Sequence, residues 1–307
     1  GSSRRGCCAS ARAWVATLRR AAGCYAGYCA ARAHVMHETE ADALAAYRLV
    51  NVDATRLLAE QAAFAGVRRL VYLSSIKVNG EQTTLQSPFR VNELPRDFPS
   101  SDDIITDKIN PKDPYGISKL AAEKIHCIWQ AGNKERNLVI VRPGVVFGPG
   151  EGGNVTRLIK AVLKNYFFYT GNKKTRKAGV YVKELCRAIM WVLVRDETKE
   201  KGVVLFNMTM NPGPSVEEYV NSISKVAKKR ALIPSVPSFI LYAAASLISF
   251  IAKPLGIKHP FSPMRIEKLT KSNNIIPTFL VNRGYQYEYT LDEAFQDWKN
   301  ESPNEWK

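Results

Sequence analysis

Apolar and polar residues follow two different periods along the chain from about residue 41 onward. Residues 41–65 place apolar side chains at helical spacing, and Gly66 follows as a typical helix end. Residues 67–74 form a short apolar run rich in β-branched and aromatic side chains, which predicts a buried strand. The first regular part of the chain is therefore expected to be a helix followed by a strand.

The same alternation resumes after a polar stretch. Residues 114–132 predict a helix with Asp113 as its N-cap and Pro114 in its first turn. Residues 138–142 predict a second buried strand. Helices and strands that alternate at this spacing indicate an α/β fold, because parallel strands need a long crossover that is usually helical.

Beyond residue 150 the alternation loosens. We expect helices over residues 154–163 and 215–228, and a strand over residues 202–208 that returns to the first sheet. Residues 236–252 are almost continuously apolar, but a membrane span needs about 20 such residues. A packed helix is the plainer interpretation of this segment, and a helix that dips into a membrane surface is the alternative.

Residues 1–29 differ from the rest of the chain. They are rich in Ala, Arg and Cys, contain almost no acidic residue and show no clear period. We interpret them as foreign to the fold, for example a fusion remnant or the product of a shifted reading frame; a short helix with a linker is the alternative. The chain then divides into this atypical segment, a first α/β region over residues 30–149 and a second region over residues 150–307.

The charge balance is strongly basic. The chain holds 44 Lys and Arg against 28 Asp and Glu, a formal net charge of +16. Such an excess favours anionic partners such as nucleotide phosphates, acidic lipids or nucleic acid, although a solvated basic surface is the plainer alternative. No aromatic residues are interleaved with the charges in the manner of a nucleic-acid surface, so we expect no nucleic-acid partner.

The cysteines and histidines indicate neither disulfides nor a metal. Four of the six cysteines precede residue 30, and their spacing matches no zinc or redox motif. His34, His37 and Glu38 lie close together without a nearby fourth ligand, so we expect no metal. Reduced thiols and the absence of a continuous apolar run in the first thirty residues favour a cytoplasmic protein without a signal peptide.

Candidate chemistry lies where the predicted strand meets the predicted helix. Tyr115 and Lys119 are four residues apart and share one helix face. An ammonium beside a phenol stabilises the phenolate and lowers the phenol pKa from about 10, which suits proton exchange with a hydroxyl at neutral pH. Ser75 follows the strand, at the sheet edge where open α/β sheets bind ligands, and would donate a hydrogen bond to the same oxygen.

Two other patterns imitate functional motifs. Tyr169 and Lys173 repeat the Tyr-x-x-x-Lys spacing, but a Gly-Asn pair between them indicates a turn rather than a helix. Residues 148–153 fit Gly-x-Gly-x-x-Gly, yet Pro149 has no N–H to offer a phosphate. Neither pattern is expected to carry the chemistry.

Five segments, in this order, resemble an extended short-chain dehydrogenase/reductase of the NAD-dependent epimerase/dehydratase family. The segments are residues 30–35, 51–55, 73–80, 113–119 and 142–150. The resemblance implies a Rossmann-type doubly wound parallel sheet followed by a smaller C-terminal α/β substrate domain. It also implies hydride transfer with NAD or NADP on a nucleotide-sugar, and a homodimer formed partly through the Tyr115 helix.

The resemblance further assigns roles to single residues. Tyr115 would be the catalytic base, and Lys119 would hold the nicotinamide ribose and tune Tyr115. Ser75 would orient the sugar hydroxyl, and Asn51 would support the site from its helix. The remaining implied cofactor contacts are Ala30, Ala31, Arg32, Ser74, Pro143 and Gly144. The implied contacts with the nucleotide diphosphate of the substrate are Asn154, Arg176, Lys177 and Arg265.

The N-terminal segment departs from the family pattern. The family opens with a strand and a Gly-x-x-Gly-x-x-Gly loop, whereas Gly23 and Gly27 have the wrong spacing and residues 24–29 resemble a poor strand. We therefore expect a sheet without its first βαβ units. Residues 70–73 would then form an exposed apolar edge, which makes the chain prone to aggregation.

Two alternative functions remain open on the sequence. The second half, with its apolar segment 236–252, also resembles the 3β-hydroxysteroid dehydrogenase branch, which acts on a hydrophobic alcohol. Alternatively, the chain is an inactive remnant without a cofactor, as the missing glycine loop suggests.

Overall fold

The computed structural model defines the fold through four long stretches and several shorter ones. It describes residues 25–28, 43–79, 89–90, 111, 113–195, 202–229, 233–237, 239–243, 246 and 272–307. The predicted contacts at Ala30, Ala31, Arg32 and Arg265, and most of segment 236–252, lie outside the described residues. Within the described part of the chain, no helix is both long enough and apolar enough to cross a bilayer.

Ten strands and eight α-helices lie wholly within the described residues. The strands are β1 (Tyr25–Tyr28), β2 (Arg69–Leu73), β3 (Phe89–Arg90), β4 (Asn137–Pro143), β5 (Val145–Phe147), β6 (Tyr169–Thr170), β7 (Gly179–Tyr181), β8 (Val203–Met208), β9 (Ser235–Val236) and β10 (Ile275–Ile276). The α-helices are α1 (Ala43–Tyr47), α2 (Ala54–Phe64), α3 (Pro114–Ala131), α4 (Asn154–Leu163), α5 (Val182–Arg195), α6 (Val216–Ala227), α7 (Thr278–Asn282) and α8 (Leu291–Glu301). A π-helical segment (Arg48–Asp53) joins α1 to α2, and 3₁₀ turns cover Ile76–Asn79 and Pro303–Trp306.

The main sheet is parallel and has the strand order β1-β2-β4-β8. Its register places Leu70 beside Leu138, and Leu138 beside Val203. The fold is therefore α/β with a Rossmann-type parallel sheet, as the sequence predicted, because helical crossovers connect the successive strands.

Both faces of this sheet are covered, which explains why its strands are nearly continuous apolar runs. Leu138 and Ile140 of β4 point into a core with α2 and α3. Val139 and Val141 point to the opposite face, where they pack with α5 and α7. Successive β4 side chains thus belong to different cores, and β4 is buried on both sides.

The second region builds a separate aromatic core from α4, α6 and α8. Phe147, Tyr219, Phe295 and Trp298 are among its buried aromatic members. Phe147 lies 5.4 Å from Phe295 and 6.4 Å from Trp298, measured between ring centroids. Because β5 and β7 pair in parallel at its boundary, this core is anchored to the end of the main sheet.

The structure corrects our interpretation of the N-terminal segment. Tyr25–Tyr28, inside the stretch that composition marked as foreign, pairs with β2 over four residues. Within the expected exposed edge at residues 70–73, residues 70–72 therefore pair with β1 on one side, and all four residues pair with β4 on the other. Local composition was misleading because strand pairing depends on backbone hydrogen bonds, which even a Tyr-Ala-Gly-Tyr segment supplies.

Candidate active site

The candidate site lies at the carboxyl end of β2, where Ser75 begins the turn into a 3₁₀ segment. Ser75 accepts a hydrogen bond from the Lys77 backbone N–H at 3.2 Å, which fixes the turn. Its side chain is hydrogen-bonded to the hydroxyl of Tyr115, the second residue of α3. The structure thus brings together a serine and a tyrosine that are 40 residues apart in sequence.

Helix α3 is held close to β2 by its N-terminal turn. The Asp113 side chain accepts from the Gly116 N–H at 2.9 Å and caps the helix, with Pro114 at its first position. A Cβ on Gly116 would lie 2.8 Å from the Lys77 carbonyl oxygen, so only glycine permits this approach. The Pro-Tyr-Gly sequence therefore places Tyr115 against Ser75 by both capping and close contact.

Lys119 lies one turn further along the same helix face and is buried. Its ammonium donates to the Leu73 carbonyl at 2.7 Å and lies 4.9 Å from the centroid of the Tyr72 ring. Our expectation that Lys119 lowers the pKa of Tyr115 is not met in this arrangement. Burial raises the pKa of Tyr115, the Ser75 hydrogen bond opposes that shift, and Asp113 adds to it.

Asn51 reaches the same helix from the π-helical segment. Its side-chain N–H donates to Ser118 Oγ at 2.9 Å, and Ser118 in turn donates to the Tyr115 carbonyl at 2.8 Å. Thr55 donates to the Asn51 carbonyl at 2.6 Å. Asn51 is therefore linked through Ser118 to the backbone that carries Tyr115.

A buried ionic network beneath the site escaped the sequence analysis. Arg142 donates to both oxygens of Glu123, at 2.9 Å and 2.6 Å, and Ser74 also donates to Glu123. Arg142 further donates to Asn79 Oδ1 at 2.8 Å, and Asn79 donates to Asn207 Oδ1 at 3.0 Å. Each of these residues is buried. The available signal was Glu123, which follows Lys119 by four residues and so continues the Tyr115–Lys119 face.

The predicted cofactor contacts within the described residues differ in their surroundings: Ser74 is bonded within the core, whereas Pro143 and Gly144 lie at the end of β4. The Ser74 hydroxyl bonds to Glu123, so the core engages it instead of leaving it to a cofactor. Pro143 is the last residue of β4. The next residue, Gly144, lies so close to the Ala178 backbone that an added Cβ would be 2.6 Å from the Ala178 carbonyl oxygen. The Gly144 backbone thus lies at the carboxyl edge of the sheet, where open α/β sheets bind their ligands.

Two of the predicted diphosphate contacts are occupied by other partners. Asn154 is exposed at the start of α4 and accepts from Arg157 at 2.7 Å. Arg176 donates to the Gly213 carbonyl and lies 3.7 Å from the Glu218 carboxylate. These contacts do not show either side chain turned toward the Tyr115 site.

Lys177 and Lys77 supply positive charge next to the site. Ile76 and Ala178 share a small buried cluster, which brings together the segments that carry Lys77 and Lys177. Burial, and then the charge of Lys77, lower the pKa of Lys177 to about 8. The Lys77 ammonium is 3.9 Å from the Asp113 carboxylate. Lys77 could not be predicted from the sequence, because only the folded chain brings its segment to that of Lys177.

The two imitating motifs have structural roles. Tyr169 lies in β6, while Lys173 pairs with the Glu217 carboxylate at 2.5 Å. In the glycine loop, Glu151 accepts from the Gly153 and Thr156 N–H groups at 2.8 Å and 2.9 Å. A carboxylate of the chain thus occupies the amides that a phosphate would need. Among the described residues, no cluster of His, Cys, Asp and Glu suits a metal ion.

The parallel sheet and its strand order are those of a Rossmann-type α/β fold. The family model of the NAD-dependent epimerase/dehydratase family matches residues 7–207. The chain belongs to this family, whose members are enzymes. The match begins within the segment that composition had set apart.

The relatives include epimerases that act on sugars joined to a diphosphate. The UDP-glucose 4-epimerase of Vibrio cholerae is 42% identical over 137 residues, which are 45% of this chain and only 37% of that protein. The N-acetyl-alpha-D-glucosaminyl-diphospho-ditrans,octacis-undecaprenol 4-epimerase of Escherichia coli O157:H7 is 24% identical over 262 residues, 84% of this chain and 72% of that protein.

Solved structures share the fold at low sequence identity. The UDP-glucose 4-epimerase of Thermotoga maritima, solved with UDP-glucose, has a TM-score of 0.63 at 17% identity over 95% of this chain and 82% of that one. MoeE5, solved with UDP-glucuronic acid and NAD, has a TM-score of 0.60 at 22% identity over 91% of this chain and 79% of that one. At these identities the likeness establishes the Rossmann-type fold.

Proposed function

We propose that the protein is an NAD(P)-dependent epimerase, dehydratase or reductase that acts on a nucleotide-sugar, with Tyr115, Ser75 and Lys119 as its catalytic residues. The observation that carries the proposal is the hydrogen bond between Ser75 and Tyr115 at the carboxyl end of β2. A sugar hydroxyl placed beside this pair could contact both side-chain hydroxyls. Related proteins that bind or act on UDP-sugars support this substrate class.

Each group has a definite task in the proposed reaction. Bound nicotinamide would accept a hydride from the sugar carbon and return it. Tyr115 would take the proton from the hydroxyl at that carbon, while Ser75 holds the same oxygen by a hydrogen bond. Since burial raises the pKa of Tyr115, a cation must approach the phenol for it to act as a base at neutral pH.

The residues present fit the nicotinamide half of the cofactor. Lys119 would turn its ammonium from the Leu73 carbonyl toward the ribose, and the Pro143–Gly144 backbone would border the ring. Lys77 and Lys177 would attract the negative charge of the substrate. Ala30, Ala31 and Arg32, which the family resemblance implies as further cofactor contacts, lie outside the described residues.

A sugar joined through diphosphate to a polyprenol is the second candidate substrate. The enzyme from E. coli O157:H7 that is named for such a substrate aligns with 84% of this chain, against 45% for the UDP-glucose 4-epimerase of V. cholerae. Both substrates present the same sugar diphosphate to the site and differ in what lies beyond it.

The decisive experiment compares Tyr115→Phe with Tyr169→Phe, because Tyr169 heads the second Tyr-x-x-x-Lys sequence. The purified proteins are incubated with NAD and a panel of UDP-hexoses, UDP-hexuronic acids, a polyprenyl-diphosphate sugar and a hydroxysteroid, and the products are separated by chromatography. We expect Tyr115→Phe to lower turnover by roughly 10²–10⁴-fold and Tyr169→Phe to leave it within about threefold. Equal loss in both variants, or conversion of the steroid alone, would refute the proposal.

We also propose a homodimer, as the family resemblance implies. Four apolar side chains on α2 and α3 are exposed: Leu57, Phe64, Ile117 and Ile128. Adjacent helices with such residues suit pairing with a second copy. Sedimentation of the native chain and of Phe64→Lys checks this, and two monomeric species would argue against it.

A further inference from the structure

The positive charge of the chain is concentrated in two segments that are distant in sequence. Residues 152–183 contain eight Lys and Arg and no acidic residue, and residues 219–287 contain ten Lys and Arg and one acidic residue. Together they carry +17, against a net charge of +16 for the whole chain, so the rest of the chain is close to neutral. The excess is therefore a local property.

The fold joins these two segments along one short strand pair. β6 and β9 run parallel, with Tyr169 beside Ser235 and Thr170 beside Val236. Backbone hydrogen bonds from Tyr169 to the Pro234 carbonyl and from Gly171 to the Val236 carbonyl extend the pairing at both ends. Residues just before β6 therefore lie near residues just before β9, and the segments that follow the two strands leave the pair in the same direction.

Exposed aromatic and aliphatic side chains flank this strand pair. Tyr166 is 60% exposed and Phe168 is 37% exposed on the loop that enters β6. Phe239 is 71% exposed and Ile240 is 47% exposed at the start of the helical turn that follows β9. Large apolar side chains are thus exposed at both ends of the pair, which is unusual for a surface that faces only water.

Lysines lie at the same surface. Lys164 follows the last residue of α4, and Lys228 caps α6 in a left-handed conformation; both are exposed. The Lys229 ammonium reaches the Leu163 carbonyl, so the ends of α4 and α6 are neighbours. Among the described residues, Lys164 and Lys228 make no ion pair. Their charges are therefore available to an anionic partner.

We propose that this surface docks the protein on an anionic lipid bilayer. We call it the β6–β9 face and define it by Lys164, Tyr166, Phe168, Lys228, Phe239 and Ile240. Aromatic side chains are favoured at the level of the lipid headgroups, and apolar ones insert below it. Each lysine near an anionic leaflet adds an attraction that falls with salt. A nucleic acid would use the lysines but not the exposed Phe239 and Ile240.

The first experiment measures binding of the full chain to lipid vesicles without cofactor or substrate. Vesicles of phosphatidylcholine alone are compared with vesicles that contain one quarter phosphatidylglycerol, by co-sedimentation. We expect binding to the anionic vesicles that decreases when salt is raised from 0.05 to 0.5 M, and little binding to the neutral ones. Equal binding to both vesicle types, or none to either, would overturn the proposal.

The second experiment tests the lysines. At about 1 kcal/mol for each lysine, Lys164→Gln with Lys228→Gln should weaken binding to anionic vesicles by roughly 30-fold. The matched control is Lys134→Gln with Lys307→Gln, which removes two exposed lysines elsewhere and should change binding by less than about threefold. Equal weakening by both pairs would show attraction by net charge alone and would contradict a defined face.

The third experiment tests the apolar side chains at constant charge. Tyr166→Ser with Phe239→Ser should weaken binding to the anionic vesicles in the same co-sedimentation assay. The control is Met190→Ser with Val194→Ser, two residues of α5 that are 57% and 78% exposed. All these residues are exposed, so unchanged thermal unfolding verifies the fold. A control pair that weakens binding as much as the test pair would refute the assignment.

Membrane docking and the proposed enzymatic function can fail independently. The vesicle assays contain neither cofactor nor sugar, and none of the substituted residues belongs to the Ser75–Tyr115–Lys119 site. A catalytically silent protein that binds anionic vesicles through the β6–β9 face would leave the docking proposal intact.

Discussion

Removal of Glu123 is expected to destabilise the protein more than any surface change. Glu123 and Arg142 are each 1% exposed, and two hydrogen bonds join them at 2.9 Å and 2.6 Å. Glu123→Leu would leave the Arg142 guanidinium buried without its counter-charge. Breaking such a pair from one side costs about 3–5 kcal/mol, because the remaining charge cannot regain its hydration.

Removal of both partners should cost less than removal of one. Glu123→Leu with Arg142→Met replaces the pair by apolar side chains of similar size, which is often neutral. Ser74 and Asn79 would still lose their partners, at about 1–3 kcal/mol for each unsatisfied group. We therefore expect the double variant to be no less stable than either single one, with a coupling free energy of at least about 2 kcal/mol.

Urea unfolding followed by tryptophan fluorescence measures the free energy of unfolding of all four proteins. The control is the exposed pair of Arg68 and Glu135, which are 3.4 Å apart and about two-thirds exposed. Its removal should cost less than about 1 kcal/mol. If Glu123→Leu fails to fold, Glu123→Gln keeps the shape and removes only the charge. A cost below about 1 kcal/mol for Glu123→Leu, or additive effects in the double variant, would refute this reasoning.

Three further predictions concern pH, a close backbone contact and a helix cap. Burial, aided by the charge of Lys119, lowers the pKa of His126 to about 3. Between pH 6.5 and 3, therefore, only the unfolded chain takes up a proton at this histidine. The free energy of unfolding should fall by about 1.4 kcal/mol for each pH unit as the pH drops through this range. His126→Phe should remove this slope in urea titrations at pH 7, 6 and 5; parallel curves for the two proteins would contradict it. Gly144→Ala places a Cβ 2.6 Å from a backbone oxygen and should cost about 1–3 kcal/mol in the same assay, and an unchanged stability would show that the backbone yields. Ser215→Ala removes one half of the capping box with Glu218 and should cost about 1 kcal/mol, with the thermal midpoint as the measurement.

Sequence alone determined the fold class and the three residues of the proposed site, because these depend on local patterns. The helical period before Gly66 and the apolar runs that became β2 and β4 are fixed by side chains within a few residues of each other. Tyr115 and Lys119 share a face for the same reason. Asp113 and Pro114 mark the helix start by hydrogen-bonding and φ preferences that need no other part of the chain.

Only the tertiary structure decided what surrounds those residues. Glu123 meets Arg142 from another element, and the Lys119 ammonium finds the Leu73 carbonyl 46 residues away, so its orientation could not follow from helical spacing. Tyr25–Tyr28 became a strand because β2 offered an edge with backbone groups to satisfy, although its own composition argued against it. The β6–β9 face arises in the same way, since two basic segments with no local relation are joined by one strand pair. The periodicity of a helix or strand depends only on residues that are close together in the sequence. Strand pairing, burial and charge balance depend instead on which distant segments the fold brings into contact.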